Sequence, residues 1–160
     1  MKIVEFGAII RQMSTEMQEK RIPEREGVLF LIHKDGKVLL EERLRPDKAY
    51  YGYTIIPGGK ANREIKEDHV SAAKREIEEE CGISVKDLVL LDTFRNVTIS
   101  NTLYNVSAYF IDGFEGEVRN VEGKSRHVWV DIKEASKEVC FADQKYVILL
   151  AQLYLSGIKL

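Results

Sequence analysis

The chain has 160 residues, 44% of them hydrophobic, with 24 Lys and Arg against 26 Asp and Glu for a formal net charge of -2. That fits one globular domain burying about 70% of its unfolded surface, and it excludes a global basic field of the kind that grips nucleic acid through its phosphates. Two cysteines, Cys81 and Cys140, are too few for a disulfide scaffold, and no stretch reaches the roughly 18 apolar residues of a membrane-spanning helix.

The opening MKIVEFGAII carries Glu5 and only a short apolar run. It lacks the ordered regions of a secretory leader, so the expected compartment is the cytoplasm. Its apolar pattern predicts a short first strand, which in a homodimer would add to the partner's sheet. Residues 11–27, RQMSTEMQEKRIPEREG, are polar and hold Pro23 and Gly27, so they read as a linker. Residues 1–26 thus stand apart from a main domain over 27–160. VLFLIHKDGKVLLEER is two apolar runs joined by Asp35-Gly36, which predicts a hairpin with strands over 28–33 and 37–43. A loop, a short strand in YGYTII and a break at Pro57-Gly58-Gly59 follow; glycines there let backbone approach a ligand closely.

From Asp68 to Glu80 the period is helical. Asp68 is the N-cap, Val70, Ala73, Ile77 and Cys81 form an apolar stripe within about 80°, and Gly82 suits the position just past the end. Next, LVLLDTFRNVTIS and TLYNVSAYFIDG predict two strands, DGFEGEVRNVEGK an acidic loop and RHVWVDI a further strand. Helices near 132–138 and 143–155 close the chain. The order predicts an α/β (α+β) fold with mixed strand pairing.

The helix ends in REIEEECG, with four glutamates in the five positions 76–80. Like charges three or four residues apart on a helix repel by roughly 0.2–0.5 kcal/mol per pair, so the stretch is unfavourable without a cation. Glu76 and Glu80 lie about 40° apart beside the apolar stripe, and Glu79 lies about 100° from Glu80. Hard divalent cations want oxygen ligands, and Mg2+ takes one or two carboxylates plus waters and substrate phosphates. On charge alone, a solvated acidic face with Lys74 and Arg75 as local partners is the other reading.

Glu67, seven further residues, then Arg75-Glu76-Ile77-Glu78-Glu79-Glu80-Cys81-Gly82-Ile83: this stretch resembles the signature of the Nudix hydrolase superfamily from its first glutamate to its end, and the resemblance spans residues 27–155. One departure lies in the loop before it. The signature's glycine falls where this chain has Ala61, and Gly58-Gly59 stand two residues further from Glu67. KANREIK therefore reads as a loop insertion, with Gly59 in the glycine's role.

The resemblance implies the Nudix α/β/α sandwich around a mixed β-sheet, and a diphosphatase acting on phosphoric anhydrides. It implies Glu76, Glu79 and Glu80 as ligands of Mg2+, with Mn2+ as a substitute, and Arg75 orienting Glu67 by a salt bridge. The catalytic set is then Glu76, Glu79, Arg75 and Glu67, with water activated by one of the metal-binding glutamates Glu76, Glu79 and Glu80 or by a loop carboxylate. Glu117 and Glu122, in the acidic loop before Trp129, are the loop candidates, ordinary solvation being their other reading. Gly58, Gly59 and Lys60 are candidates for lining the phosphate site; a plain turn is the alternative.

Proline occurs only at Pro23, Pro46 and Pro57, so the downstream proline that the family associates with ADP-ribose hydrolysis is absent, as is the proline-rich signature of its NADH class. No cysteine precedes Cys81, which disfavours isoprenoid-isomerase relatives. The ending FADQKYVILLAQLYL resembles the terminal segment of oxidised-purine nucleotide hydrolases, implying Asp143 as a reader of the base edge with Tyr51 or Phe141 stacking on the base. An N-cap at Asp143 and core aromatics are the other readings. The expected substrate is a small nucleotide, foremost a nucleoside triphosphate with an oxidised purine such as 8-oxo-dGTP, split into nucleoside monophosphate and pyrophosphate. Dinucleotides, nucleotide sugars and capped RNA ends stay open, as does a nucleotide-sensing module without turnover. Long nucleic acid and membrane are not expected partners.

Overall fold

The computed structural model describes residues 24–158. The first strand expected in 1–10, the dimer contact built on it and most of the linker lie outside the described residues.

Strand β1 (Glu24–Lys34) turns at Asp35-Gly36 into β2 (Lys37–Arg43). Both turn residues take positive φ, 51° and 75°, the conformation that Asp-Gly supplies to a two-residue hairpin. Then come β3 (Thr54–Ile55), β4 (Gly58–Lys60), helix α1 (His69–Cys81), β5 (Val89–Val97), β6 (Leu103–Ile111), β7 (Ser125–Asp131), and helices α2 (Ala135–Glu138) and α3 (Ala142–Leu155). The hairpin pairs only at its tip, His33 with Val38 and Lys34 with Lys37. Beyond the tip each strand takes other neighbours. β1 runs parallel to β6, from Glu24 opposite Leu103 to Ile32 opposite Ile111, and β2 runs antiparallel to β7, from Lys37 opposite Asp131 to Arg43 opposite Ser125. With β3 on β2, β4 on β1 and β5 on β6 the result is one mixed seven-stranded sheet.

Alternation along the strands sends neighbours to opposite faces. Val28, Phe30, Ile32 and Leu39 pack on one face against Ala72, Ala73, Ile77 and Cys81 of α1, while Leu31, Leu40 and Phe110 pack on the other against Val147, Ile148 and Ala151 of α3. Helices therefore cover both faces, the expected α/β/α sandwich. No helix of the described residues is long and apolar enough to cross a membrane.

Three local expectations are corrected. Glu24–Gly27 belong to β1 rather than to a linker, because backbone pairing with β6 outweighs their polar composition. Gly58-Gly59 are not a break but half of the β1–β4 pairing, opposite Leu29 and Val28. Val70 is 44% exposed while Ala72 is buried. The first turn of α1 is held instead by polar contacts, the His69 ring nitrogens meeting Glu26 at 2.9 Å and Ser107 at 2.5 Å.

The β1–β4 contact leaves no room for a side chain: a Cβ at Gly58 would lie 2.3 Å from the Val28 carbonyl oxygen and 2.8 Å from the Leu29 side chain. Gly58→Ala is expected to cost about 1–3 kcal/mol, read as a lower urea midpoint at unchanged slope. An unchanged midpoint would contradict the close approach.

Candidate metal and phosphate site

Helix α1 is fixed at both ends by its own sequence. The Asp68 carboxylate accepts the Ser71 backbone N–H at 2.9 Å, and Gly82 closes the helix at φ 66° with its N–H on the Glu78 carbonyl. The buried stripe of Ala73, Ile77 and Cys81 then sets the rotation of the helix on the sheet, which brings Glu76 and Glu80 to the rim of the core.

Arg75 is the hub of the site. Its Nε and Nη2 donate to the two oxygens of Glu67, each at 2.9 Å, a two-pronged pairing that ranks among the strong charge-assisted contacts. Nη1 donates to Glu76 at 2.9 Å and to Glu79 at 3.1 Å, and Nη2 also donates to the Lys60 carbonyl at 2.9 Å. The Asn62 N–H adds a further bond to Glu67 at 2.8 Å. The Arg75 hydrogen bonds hold the Glu67 carboxyl below the usual carboxylate range.

Gly59 packs directly on Glu76: a Cβ there would lie 2.0 Å from the Glu76 Cδ. The Lys60 N–H reaches Glu76 Oε1 at 3.3 Å, so Lys60 serves the cluster with both backbone groups while its side chain is exposed. The longer loop folds up locally. The Glu67 N–H bonds the Asn62 carbonyl at 3.0 Å, the Glu64 N–H bonds the Asn62 side chain at 3.0 Å, and Lys66 takes φ 51°. Its two extra residues leave Gly59 against Glu76.

Glu80 faces a different environment, a cleft shared with Glu41, Arg43, Glu122, Lys124 and His127. Its Oε2 is buried without a hydrogen-bond partner. Burial, then the charges of Glu41, Glu76 and Glu122, push its carboxyl up to about 8, against a smaller opposing effect of Arg43. Glu41 is 4% exposed and accepts from Arg43 Nη1 at 2.6 Å. A cleft with the buried Glu41, the half-buried Glu80 with its orphaned oxygen and the more exposed Glu122 is short of positive charge, and their oxygen donors suit a hard divalent cation. The residues fit such an ion. Among the described residues no three His, Cys, Asp or Glu side chains are already closed up as a metal cluster, and Glu76 and Glu79 are turned onto Arg75.

Sequence reasoning missed Glu41, Arg43 and His127. A usable signal existed for the first: in VLLEER, Glu41 follows Leu39 by two on the core-facing side of a strand, where an unexplained acid marks a site. Glu122 lines the cleft, and Glu117 does not.

Asp143 lies on the sheet's other face. The N-cap of α3 is Phe141, without a side-chain cap bond, so Asp143 is not the cap; it sits in the first turn and accepts from Asn96 Nδ2 at 2.8 Å. Phe141 meets Tyr50 and Tyr53 at centroid distances of 5.2 and 5.1 Å, whereas Tyr51 is 54% exposed and outside this group. Tyr50 takes φ 65°, rare for a bulky residue, and burial followed by the Asp143 charge raises its phenol. The aromatic beside Asp143 is thus Tyr50, not Tyr51.

Between the ordinary value of 4.5 and about 8, Glu80 keeps a proton in the folded chain that the unfolded chain has released. Metal-free protein therefore loses stability as pH rises through that window. Glu80→Gln is expected to flatten this slope and raise the metal-free Tm near its upper end, while Mg2+ stabilises only the parent. Thermal melts across the window in chelator and in Mg2+ check this, and a parent with no slope in chelator would contradict the assigned burial.

A family model described as the NUDIX domain matches residues 23–150. No curated protein matches the chain at a significant level. Among solved structures, a MutT NUDIX hydrolase from Burkholderia pseudomallei is 26% identical with a TM-score of 0.67, over 79% of this chain and 97% of that one. The NUDIX domain of Shewanella oneidensis NrtR, complexed with ADP ribose, is 16% identical with a TM-score of 0.66, over 85% and 90%. A C. elegans Ap4A hydrolase is 18% identical with a TM-score of 0.64, over 86% and 100%; these last two share the fold. With the domain match spanning most of its length, the chain belongs to the Nudix family and is a hydrolase of phosphoric anhydrides.

Proposed function

We propose that the protein is a Mg2+-dependent nucleoside triphosphate pyrophosphohydrolase that releases nucleoside monophosphate and pyrophosphate, with oxidised purine nucleotides as its favoured substrates. The observation that carries the metal dependence is the orphaned Glu80 carboxylate in a cleft with Glu41 and Glu122. Glu76, Glu79 and Glu80 hold the ion, and Mn2+ fills the same place. Bound there, the ion neutralises phosphate charge and orients the attacking water. Arg75 keeps Glu67, Glu76 and Glu79 in register, and a carboxylate of this group or Glu122 takes the water's proton as the anhydride P–O bond breaks. Gly58 leaves space that β1 fills and Gly59 space that the Glu76 carboxyl fills, so the two glycines serve the phosphate site by letting β4 hold Glu76 in place, and the exposed Lys60 side chain adds positive charge.

The nucleotide part is supported by Asp143, whose carboxylate is steadied by Asn96 beside Tyr50 and Phe141. A carboxylate there accepts from donors on a purine edge, and an aromatic ring stacks on the base. The likeness to a MutT protein points the same way, while the likeness to an Ap4A hydrolase makes dinucleotides the second reading.

Phosphate and pyrophosphate release from a panel of nucleoside triphosphates, oxidised purines, ADP-ribose and dinucleotides tests this, with Mg2+ and with chelator. Glu80→Gln is expected to lower turnover by about 100-fold or more through lost metal affinity, and Asp143→Asn to change preference among bases. Turnover in chelator, or full activity of Glu80→Gln, would overturn the site. Turnover confined to dinucleotides would overturn the substrate.

A further inference from the structure

We infer that His127 supplies a nitrogen ligand to the cation held by Glu80, making this a mixed oxygen and nitrogen site that favours Mn2+ or Co2+ over Mg2+. The inference rests on the metal reading above and goes beyond it, since nothing in the signature helix supplies nitrogen.

Three elements bring the donors together. β2 and β7 pair antiparallel with Glu41 directly opposite His127, and directly opposed residues share a face with Cβ atoms about 4.5–5.5 Å apart. Leu39, two residues before Glu41, packs in the core under α1, so the shared face is the one that α1 covers. From α1 comes Glu80, which lines the same cleft as Glu41 and His127.

The unmet bonding in that cleft is specific. Among the described residues, the buried side-chain atoms without a hydrogen-bond partner are Glu80 Oε2 and His127 Nδ1, both from this one cleft. The protein's own cations there are already engaged, Arg43 with Glu41 at 2.6 Å and Lys124 with Glu122 at 2.9 Å. Once Glu80 has given up its proton it offers only lone pairs, and a neutral imidazole with its hydrogen on Nε2 offers one at Nδ1. A single Lewis acid satisfies both groups, which no neighbouring side chain does. Imidazole is a softer donor than carboxylate and moves preference from Mg2+ along the series toward Mn2+ and Co2+.

The test uses metal-stripped full-length protein, His127→Gln and His127→Ala, with Glu80→Gln as the control. Mn2+ and Mg2+ affinities are measured by titration, nitrogen coupling to bound Mn2+ by pulsed electron paramagnetic resonance, and the Co2+ ligand field by visible absorption. Loss of His127 is expected to weaken Mn2+ and Co2+ by about 10-fold or more, to abolish the nitrogen coupling, and to leave Mg2+ within about twofold. Thermal melts confirm folding, and the closer volume of Gln keeps the test open if the alanine variant is unstable. Absence of nitrogen coupling in the parent, or its persistence in His127→Gln, overturns the inference while leaving the glutamate site intact. If Glu80→Gln binds Mg2+ as tightly as the parent, the metal reading itself has failed.

Discussion

The Arg75 guanidinium is the contact on which the rest of the site depends. Its five N–H donors are all used: two on Glu67, one each on Glu76 and Glu79, and one on the Lys60 carbonyl. One side chain thereby ties the loop, strand β4 and helix α1 into a unit and offsets the repulsion within REIEEE. The Glu67 side chain is only 7% exposed against 35% for Arg75, so this pair is partly shielded from the solvent screening that makes surface ion pairs weak. Lysine cannot replace it, because a compact ammonium lacks the planar fork that meets both oxygens of a carboxylate.

The acidic edge of α1 is consequently divided. Glu76 and Glu79 share the Arg75 guanidinium with Glu67, while Glu80, one turn on from Glu76, is left against the charges of Glu41, Glu76 and Glu122 with Arg43 as the smaller counterweight. That imbalance costs stability in the metal-free protein, and a cation that bound the folded state alone would recover it. Under the proposed function, the same charge that would be a fault in a purely structural helix would give the cleft its affinity for a cation.

Local signals carried much of this in the sequence. Asp35-Gly36 announced the hairpin, and Asp68 and Gly82 bounded α1, because each acts on backbone within a few residues of itself. Contacts between remote segments were hidden. Glu24–Gly27 are polar and became strand only through pairing with β6, far along the chain. Glu41 and His127 are unremarkable singly and meet only through the β2–β7 register. Tyr50 and Tyr51 are neighbours of similar chemistry, and the positive φ at Tyr50, invisible in composition, accompanies the contact of Tyr50 rather than Tyr51 with Phe141.

The lengthened loop before Glu67 shows what a signature's spacing stands for. The chemistry requires Gly59 pressed on Glu76 and Glu67 within reach of Arg75; the residues between have only to close. Lengthening such a loop from five to seven residues costs about 0.3 kcal/mol in closure entropy, small beside the contacts it spans. Asn62 accepts from the Glu64 and Glu67 backbones, and Lys66 turns the chain through a left-handed conformation, so the extra length is absorbed before the carboxylate. Spacing in sequence is thus a proxy for a distance in space, and here the distance is kept although the spacing is not.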